Sequence, residues 1–95
     1  MTTRAYSKQP YNHQYIASLE IYSRNPDTSV THKFFYHFYL RANGRIYHKK
    51  PNIRIVNVHG ETPLLTYYTF YKDNVTDEQR REIEDKILYL CTGFH

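Results

Sequence analysis

The chain reads Thr-His-Lys-Phe-Phe-Tyr-His-Phe-Tyr-Leu-Arg from residue 31 to residue 41, and this run predicts a strand with aromatic rings on both faces. Side chains along a strand point alternately to opposite faces of a sheet, so the run divides into two sets. The first set is apolar and is expected to be buried: Val30, Phe34, Tyr36, Phe38 and Leu40. The second set interleaves rings with cations and is expected to be exposed: Lys33, Phe35, His37, Tyr39 and Arg41.

An Asn-Gly pair at residues 43–44 follows this strand and favours a two-residue type I′ hairpin, because both central residues of that turn need a positive φ. The resulting register pairs Tyr39 with His48. It also pairs His37 with Lys50. We therefore expect the exposed set to continue onto the next strand and to form one binding surface of seven residues: Lys33, Phe35, His37, Tyr39, Arg41, His48 and Lys50.

The chain before residue 30 divides into an arm, a strand and a turn. Met1–Pro10 is polar and has no periodicity, so a flexible basic arm is predicted for residues 1–10 and a single domain for residues 11–95. Apolar residues at most odd positions of Tyr11–Arg24 predict a half-buried strand whose odd positions share one face. Asn25–Ser29 is rich in turn-forming residues and should return the chain antiparallel.

Two further strands and a helix are predicted after the hairpin. Pro51 is expected at a sheet edge or a bulge, ahead of a strand at Ile53–Val58. Leu64–Lys72 predicts the last strand, and because both of its faces are aromatic either one could be buried. Thr76 is a predicted N-cap that forms a capping box with Gln79. The helix then buries one apolar stripe and ends near Gly93; the stripe is Ile83, Ile87, Leu90, Cys91 and Phe94.

The predicted architecture is an α+β domain: an antiparallel meander of four to five strands, followed by one C-terminal amphipathic helix packed on one face. A single helix leaves the opposite face of the sheet uncovered. Charge follows the same division. The chain has a net charge of +4, yet the segment from Thr76 onward carries three cations against five carboxylates, so the positive charge belongs to the sheet and the arm.

Composition limits the cell compartment and the chemistry. Cys91 is the single cysteine, which excludes an intramolecular disulfide, and no apolar run approaches the roughly 20 residues needed to span a bilayer. We expect a cytoplasmic protein without membrane contact, in the host cytoplasm if it is viral.

A glycine-rich phosphate loop and a nucleophile elbow are absent, and His59 with Glu61 is a weak acid–base pair. The six histidines lack metal-site spacing, so we expect no enzyme, metal or cofactor.

Two functions fit the exposed rings and cations. Bases stack on exposed rings for about 1–3 kcal/mol each while cations hold phosphates, which predicts a non-enzymatic module that binds single-stranded RNA or DNA with weak sequence selectivity. The alternative is a protein–protein interaction module, such as a small virus- or phage-encoded, anti-CRISPR-like inhibitor of a host nucleic-acid enzyme or defence system. A homodimer is a further candidate assembly.

The predicted order of elements resembles a known architecture. Four antiparallel strands followed by a helix that opens with Thr76-Asp77-Glu78-Gln79 are similar to the single-stranded-DNA-binding transcriptional coactivators, which dimerise through that helix. The resemblance implies a single-stranded ligand. The run from Lys33 to Tyr39 only faintly resembles the RNP1 motif of RNA-recognition domains, because the glycine of that motif is missing.

Overall fold

The computed structural model describes residues 13–57 and 63–93. It contains one five-stranded antiparallel sheet and one helix, which confirms the predicted α+β class. The elements are β1 (Gln14–Arg24), β2 (Thr31–Leu40), β3 (Ile46–His48), β4 (Asn52–Val56), β5 (Leu65–Tyr71) and α1 (Asp77–Cys91). The predicted arm, the pair His59 and Glu61, and Phe94 lie outside the described residues.

Strand β2 lies at the centre of the sheet. It pairs with β1 along one side, and β1 pairs in turn with β5. Along its other side β2 pairs first with β3 and then with β4. The chain therefore crosses from one edge of the sheet to the other between β4 and β5, so that the last strand joins β1 and not its predecessor.

The segment between β3 and β4 contains a bulge. Phe38 opposes His48, whereas Phe35 opposes Asn52, so three steps along β2 correspond to four along its partner. The extra residue falls within Lys49-Lys50-Pro51, and Pro51 lacks the N–H that a regular ladder requires. The prediction of an edge or bulge at Pro51 is confirmed.

The hairpin register predicted from Asn43-Gly44 is wrong by one residue. The Arg41 N–H donates to the Arg45 carbonyl at 2.8 Å and the Gly44 N–H donates to the Arg41 carbonyl at 2.9 Å, which closes a three-residue loop. Gly44 has φ +86°, as the last residue of a type I turn with a G1 bulge requires. An Asn-Gly pair suits both the two-residue and the three-residue loop. In the three-residue loop only the glycine needs a positive φ. Tyr39 consequently opposes Tyr47, not His48.

Strand β1 also departs from its predicted alternation. Its register with β2 shifts between Tyr15 and Ala17, where Ile16 is the extra residue of a bulge. Ala17 keeps its predicted place in the core, but Tyr15 turns to the other face and its ring contacts His37 at 5.1 Å. The prediction that the odd positions share one face therefore holds only after the bulge.

The core lies between α1 and one face of the sheet, which we call the helix-covered face. Its buried apolar residues come from three strands, from the loop before the helix and from the helix itself: Ile16, Ala17, Leu19, Ile21, Tyr36, Phe38, Ile46, Val75, Ile83 and Ile87. Tyr36 and Phe38 confirm the predicted buried face of β2. In β5 the side chains on this face are Leu65, Tyr67, Thr69 and Tyr71.

Helix α1 begins as predicted. The Gln79 N–H donates to Thr76 Oγ1 at 3.1 Å, and the Thr76 N–H donates to Gln79 Oε1 at 3.0 Å, which completes the capping box. Asp77 and Glu78 occupy the first turn, where carboxylates complement the helix dipole. Cys91 packs against the core at the other end, and burial raises the pKa of its thiol.

Candidate binding surface on the open face of the sheet

The sheet face opposite α1, which we call the open face, is covered by none of the described elements. Strand register assigns its members: Tyr15, Ser18, Glu20 and Tyr22 of β1; Lys33, Phe35, His37 and Tyr39 of β2; Tyr47, Asn52 and Arg54 of β3 and β4; Thr66, Tyr68 and Phe70 of β5. Large rings on a single uncovered sheet layer stay accessible. Phe70 is 63% exposed and Tyr68 54% exposed.

A row of rings runs across β3, β2 and β1 on this face. Tyr47 stacks on Tyr39 with centroids 5.5 Å apart and an interplanar angle of 29°. Tyr39 lies 6.0 Å from Tyr15, whose ring meets His37 edge-on at 5.1 Å. His37 in turn lies 4.6 Å from Phe35. Neighbouring rings hold one another in place, so the row is an ordered surface.

Cations lie over these rings. Arg41 sits over Tyr47 with its guanidinium carbon 4.5 Å from the ring centroid. Lys49 Nζ lies 5.3 Å from the centroid of Tyr39 and Lys33 Nζ lies 5.4 Å from that of Phe35. Each such contact contributes about 0.5–1 kcal/mol at an exposed site. The positive charge is therefore distributed along the row of rings.

Glu20 is the single carboxylate that register assigns to the described part of the open face. Its Oε2 lies 3.6 Å from Lys33 Nζ, and its Oε1 accepts a hydrogen bond from the Tyr22 hydroxyl at 3.1 Å. Partial burial and then this hydrogen bond raise the pKa of Tyr22 above its usual 10.0. The cations Lys33 and Arg54 together outnumber Glu20, so the surface keeps a positive surplus.

A shallow depression interrupts the open face where β2 meets β4. Its lining consists of Lys33, Phe35, Asn52 and Arg54. The register explains the grouping, because Lys33 opposes Arg54 and Phe35 opposes Asn52. One ring, one amide and two cations thus converge on one small concave site.

The structure brings five of the seven predicted site residues to the open face. Lys33, Phe35, His37 and Tyr39 are half-exposed on β2, and Arg41 follows them.

His48 is not part of this surface. The one-residue change of register turns it to the helix-covered face, where its ring meets Tyr36 at 5.2 Å and Phe38 at 5.6 Å, both edge-on. Lys50 lies in the bulge and does not pair with His37; Lys49 takes the position over Tyr39. The length of the hairpin loop accounts for the position of His48, and the bulge before β4 accounts for that of Lys50.

Several members of the open face were not predicted. Tyr47 follows from a three-residue loop, so considering that loop as well would have found it. Tyr15 depends on the bulge at Ile16, for which the local sequence carries no recognisable signal. Lys72, whose Nζ lies 5.1 Å from the Tyr15 ring centroid, depends on the pairing of β5 with β1.

No protein-family model, curated protein or solved structure matches the chain. Within residues 13–57 and 63–93, no group of three or more His, Cys, Asp or Glu side chains is placed to hold a metal ion. In the same ranges, no helix has the length and apolar character needed to cross a bilayer.

Proposed function

We propose that this chain is a non-enzymatic module that binds single-stranded RNA or DNA, with weak sequence selectivity, on the open face. The alternation of rings and cations along one uncovered face is the observation that carries the proposal. Bases stack on the row Tyr47, Tyr39, Tyr15, His37 and Phe35, while the cations over those rings exchange their contacts for phosphates. Every base has a π-face, so stacking accepts all four bases.

The depression provides the most specific contact in this proposal. Phe35 offers a stacking surface for one base, and the Asn52 amide can donate to and accept from a base edge. Lys33 and Arg54 oppose each other beside it and neutralise the adjoining phosphate. To reach the phosphate, Lys33 gives up its ion pair with Glu20, in which the two charged atoms are 3.6 Å apart. This pair is partly exposed, so breaking it costs little free energy.

Fluorescence anisotropy with labelled single-stranded oligonucleotides, across a salt series, tests the proposal. We expect affinity to fall as salt rises, because cations release counterions on binding phosphates. Replacing Phe35 and Tyr39 together with Ala should weaken binding by roughly thirtyfold or more, at about 1–3 kcal/mol for each lost stack. Lys33→Gln with Arg54→Gln should reduce the salt dependence.

Tyr89→Ala is the matched control, because Tyr89 is an 80% exposed ring on α1. It should leave oligonucleotide affinity unchanged. Binding that is absent at low salt, or that survives the loss of Phe35 and Tyr39, would contradict the proposal.

A protein partner is the second candidate function, and a separate apolar surface favours it. Ile53 opposes Phe34 and Ile55 opposes His32, so both isoleucines lie on the helix-covered face of β4. They are nevertheless 56% and 70% exposed, because α1 does not extend over them. Exposed apolar patches often bind proteins. The partner expected for this candidate is a nucleic-acid-processing protein in the cytoplasm. Capture of a protein from cell lysate tests the candidate. Capture that persists after nuclease treatment and is lost in Ile55→Lys would support it.

A further inference from the structure

Strand β5 forms one edge of the described sheet, where its only partner is β1. The Arg24 N–H donates to the Leu64 carbonyl at 2.9 Å, and the Lys72 N–H donates to the Ile16 carbonyl at 2.8 Å. Because antiparallel ladders alternate, even-numbered residues from 64 to 72 direct their backbone groups towards β1. The odd-numbered residues direct theirs outward: Leu65, Tyr67, Thr69 and Tyr71.

This edge carries none of the features that normally prevent strand pairing. Leu-Thr-Tyr-Tyr-Thr-Phe-Tyr, residues 65–71, contains no charge, proline or glycine, and it is rich in residues that favour strands. The opposite edge differs, since Lys49-Lys50-Pro51 interrupts it with a bulge. Charged residues, proline and bulges are the usual protections of an edge strand. Of the two edges, β5 is therefore the one whose outward backbone groups are better suited to pair with another strand.

We propose that β5 pairs antiparallel with β5 of a second copy of this chain, around a two-fold axis through Tyr68 and perpendicular to the sheet. The two sheets then form one continuous sheet. A perpendicular axis keeps both open faces on the same side, so the dimer presents a single surface of twice the width. The proposal rests on the edge of β5 and not on the identity of the ligand.

The register follows from the outward-directed residues. An axis at Tyr68 pairs Tyr67 with Thr69 of the second copy, and Leu65 with Tyr71, through their outward N–H and carbonyl groups. An axis at Tyr67 would instead set Pro63, which has no N–H, opposite Tyr71. An axis at Thr69 would set Leu65 opposite Asp73. The axis at Tyr68 therefore uses all seven residues of the strand.

The side chains also complement one another in this register. Tyr67 opposes a threonine, as does Phe70, and aromatic side chains paired with β-branched ones stabilise antiparallel strands. Tyr68 meets its own copy at a close, non-hydrogen-bonded pair. Lys72 opposes Leu64, so the two copies of Lys72 lie at opposite ends of the interface, roughly 27 Å apart at 3.4 Å per residue. Self-pairing thus creates no like-charge contact.

Analytical ultracentrifugation of the wild-type chain and Thr69→Pro tests the proposal. The Thr69 N–H points away from β1, so proline removes a bond to the second copy and none to the described part of its own subunit. We expect a dimer for the wild type and a monomer with an unchanged circular dichroism spectrum for Thr69→Pro. Ile55→Lys, a control at the opposite edge, should remain dimeric. A wild type that is monomeric at every concentration, or a dimer broken by Ile55→Lys alone, would overturn the proposal.

A charge exchange at the axis tests the register even if Thr69→Pro does not fold. Tyr68→Lys and Tyr68→Glu should each be monomeric alone, because like charges then face each other across the axis. Mixing them should restore a dimer with one copy of each. The proposed axis would be contradicted if the mixed dimer does not form. It would also be contradicted if either variant dimerises on its own. Loss of oligonucleotide binding in a chain that still dimerises would refute only the proposed function.

Discussion

Phe38 and Phe35 lie three residues apart on β2, carry the same side chain and face opposite sides of the sheet. Phe38 is fully buried in the core cluster that contains Ile83 and Ile87 of α1, whereas Phe35 remains half-exposed beneath a lysine. Aromatic content therefore does not distinguish the core face from the exposed face in this molecule. The position of α1 does, because it removes water from one set of rings and leaves the other set accessible.

The two faces also differ in how their rings are held. Rings on the helix-covered face meet the His48 ring edge-on and also share a core with aliphatic side chains: Leu19, Ile21, Ile46, Ile83 and Ile87. Rings on the open face contact other rings and the cations above them. Tyrosine and histidine suit the second arrangement, since each combines an apolar body with a polar tip that stays in water. The open face can thus remain exposed without losing order.

Truncating the two phenylalanines provides the largest test of this contrast. Phe38→Ala should lower the free energy of unfolding by about 3–5 kcal/mol, because it leaves a cavity under α1. Phe35→Ala should lower it by about 1 kcal/mol or less, since the side chain is already partly in water. Urea denaturation followed by circular dichroism measures both. Equal losses would show that the open face is also covered.

Substitutions of Gly44 test the hairpin turn, whose length determines which side chains of β3 lie on which face of the sheet. It adopts φ +86°, and a methyl group there would meet no atom within 4 Å. Gly44→Ala should therefore cost about 1–2 kcal/mol of stability from backbone strain alone. Gly44→Asn should cost less, because asparagine tolerates the left-handed region. Equal costs, measured by urea denaturation, would contradict the assigned turn.

The capping box of α1 tests how firmly the helix covers its face. Thr76→Ala should cost about 1 kcal/mol, since the Gln79 N–H loses its acceptor. It should also speed the reaction of Cys91 with a thiol reagent, because local opening of α1 exposes that side chain. Thr76→Ser keeps the hydroxyl and should restore both values. Unchanged thiol reactivity in Thr76→Ala would show that helix opening does not control access to Cys91.

The smallest expected effect is a pH dependence on the helix-covered face. Burial, and to a lesser extent Cys91, raises the pKa of Tyr36 above its usual 10.0. A raised folded pKa contributes stability that is complete below the unfolded pKa and is lost as the pH rises through the folded value. Stability should therefore fall less steeply above about pH 10 in Tyr36→Phe than in the wild type. Parallel curves from urea denaturation would contradict this.

The elements that were predicted correctly share a local cause. Alternation along β2, the capping box at Thr76 and the interruption at Pro51 each depend on residues that are adjacent or nearly adjacent in the chain. Lys33, Phe35, His37 and Tyr39 of β2, together with Arg41, could thus be assigned to one face from the sequence, although the sequence did not show what covers that face.

What was missed depends on contacts between distant segments. The two hairpin loops differ by one residue, and the same Asn43-Gly44 pair satisfies both, so His48 was assigned to the wrong face. The burial of one face of β5 depends on its pairing with β1, which lies more than forty residues earlier in the chain. Local patterning carries no information about that choice.

Helix α1 has a role in addition to covering the core. Its carboxylates outnumber its cations by five to three, and the helix lies on the side of the sheet away from Lys33 and Lys49, which lie over rings of the open face. Among the described residues, a helix with a net negative charge therefore lies on one side of the sheet, and an open face with more cations than carboxylates lies on the other. The field of a polyanion, the class of ligand proposed above, exerts a torque on such a charge separation and would orient the molecule before contact. If the proposed function holds, an approaching nucleic-acid strand repels the acidic helix and attracts the open face, so the helix contributes to the orientation in which the rings meet the strand.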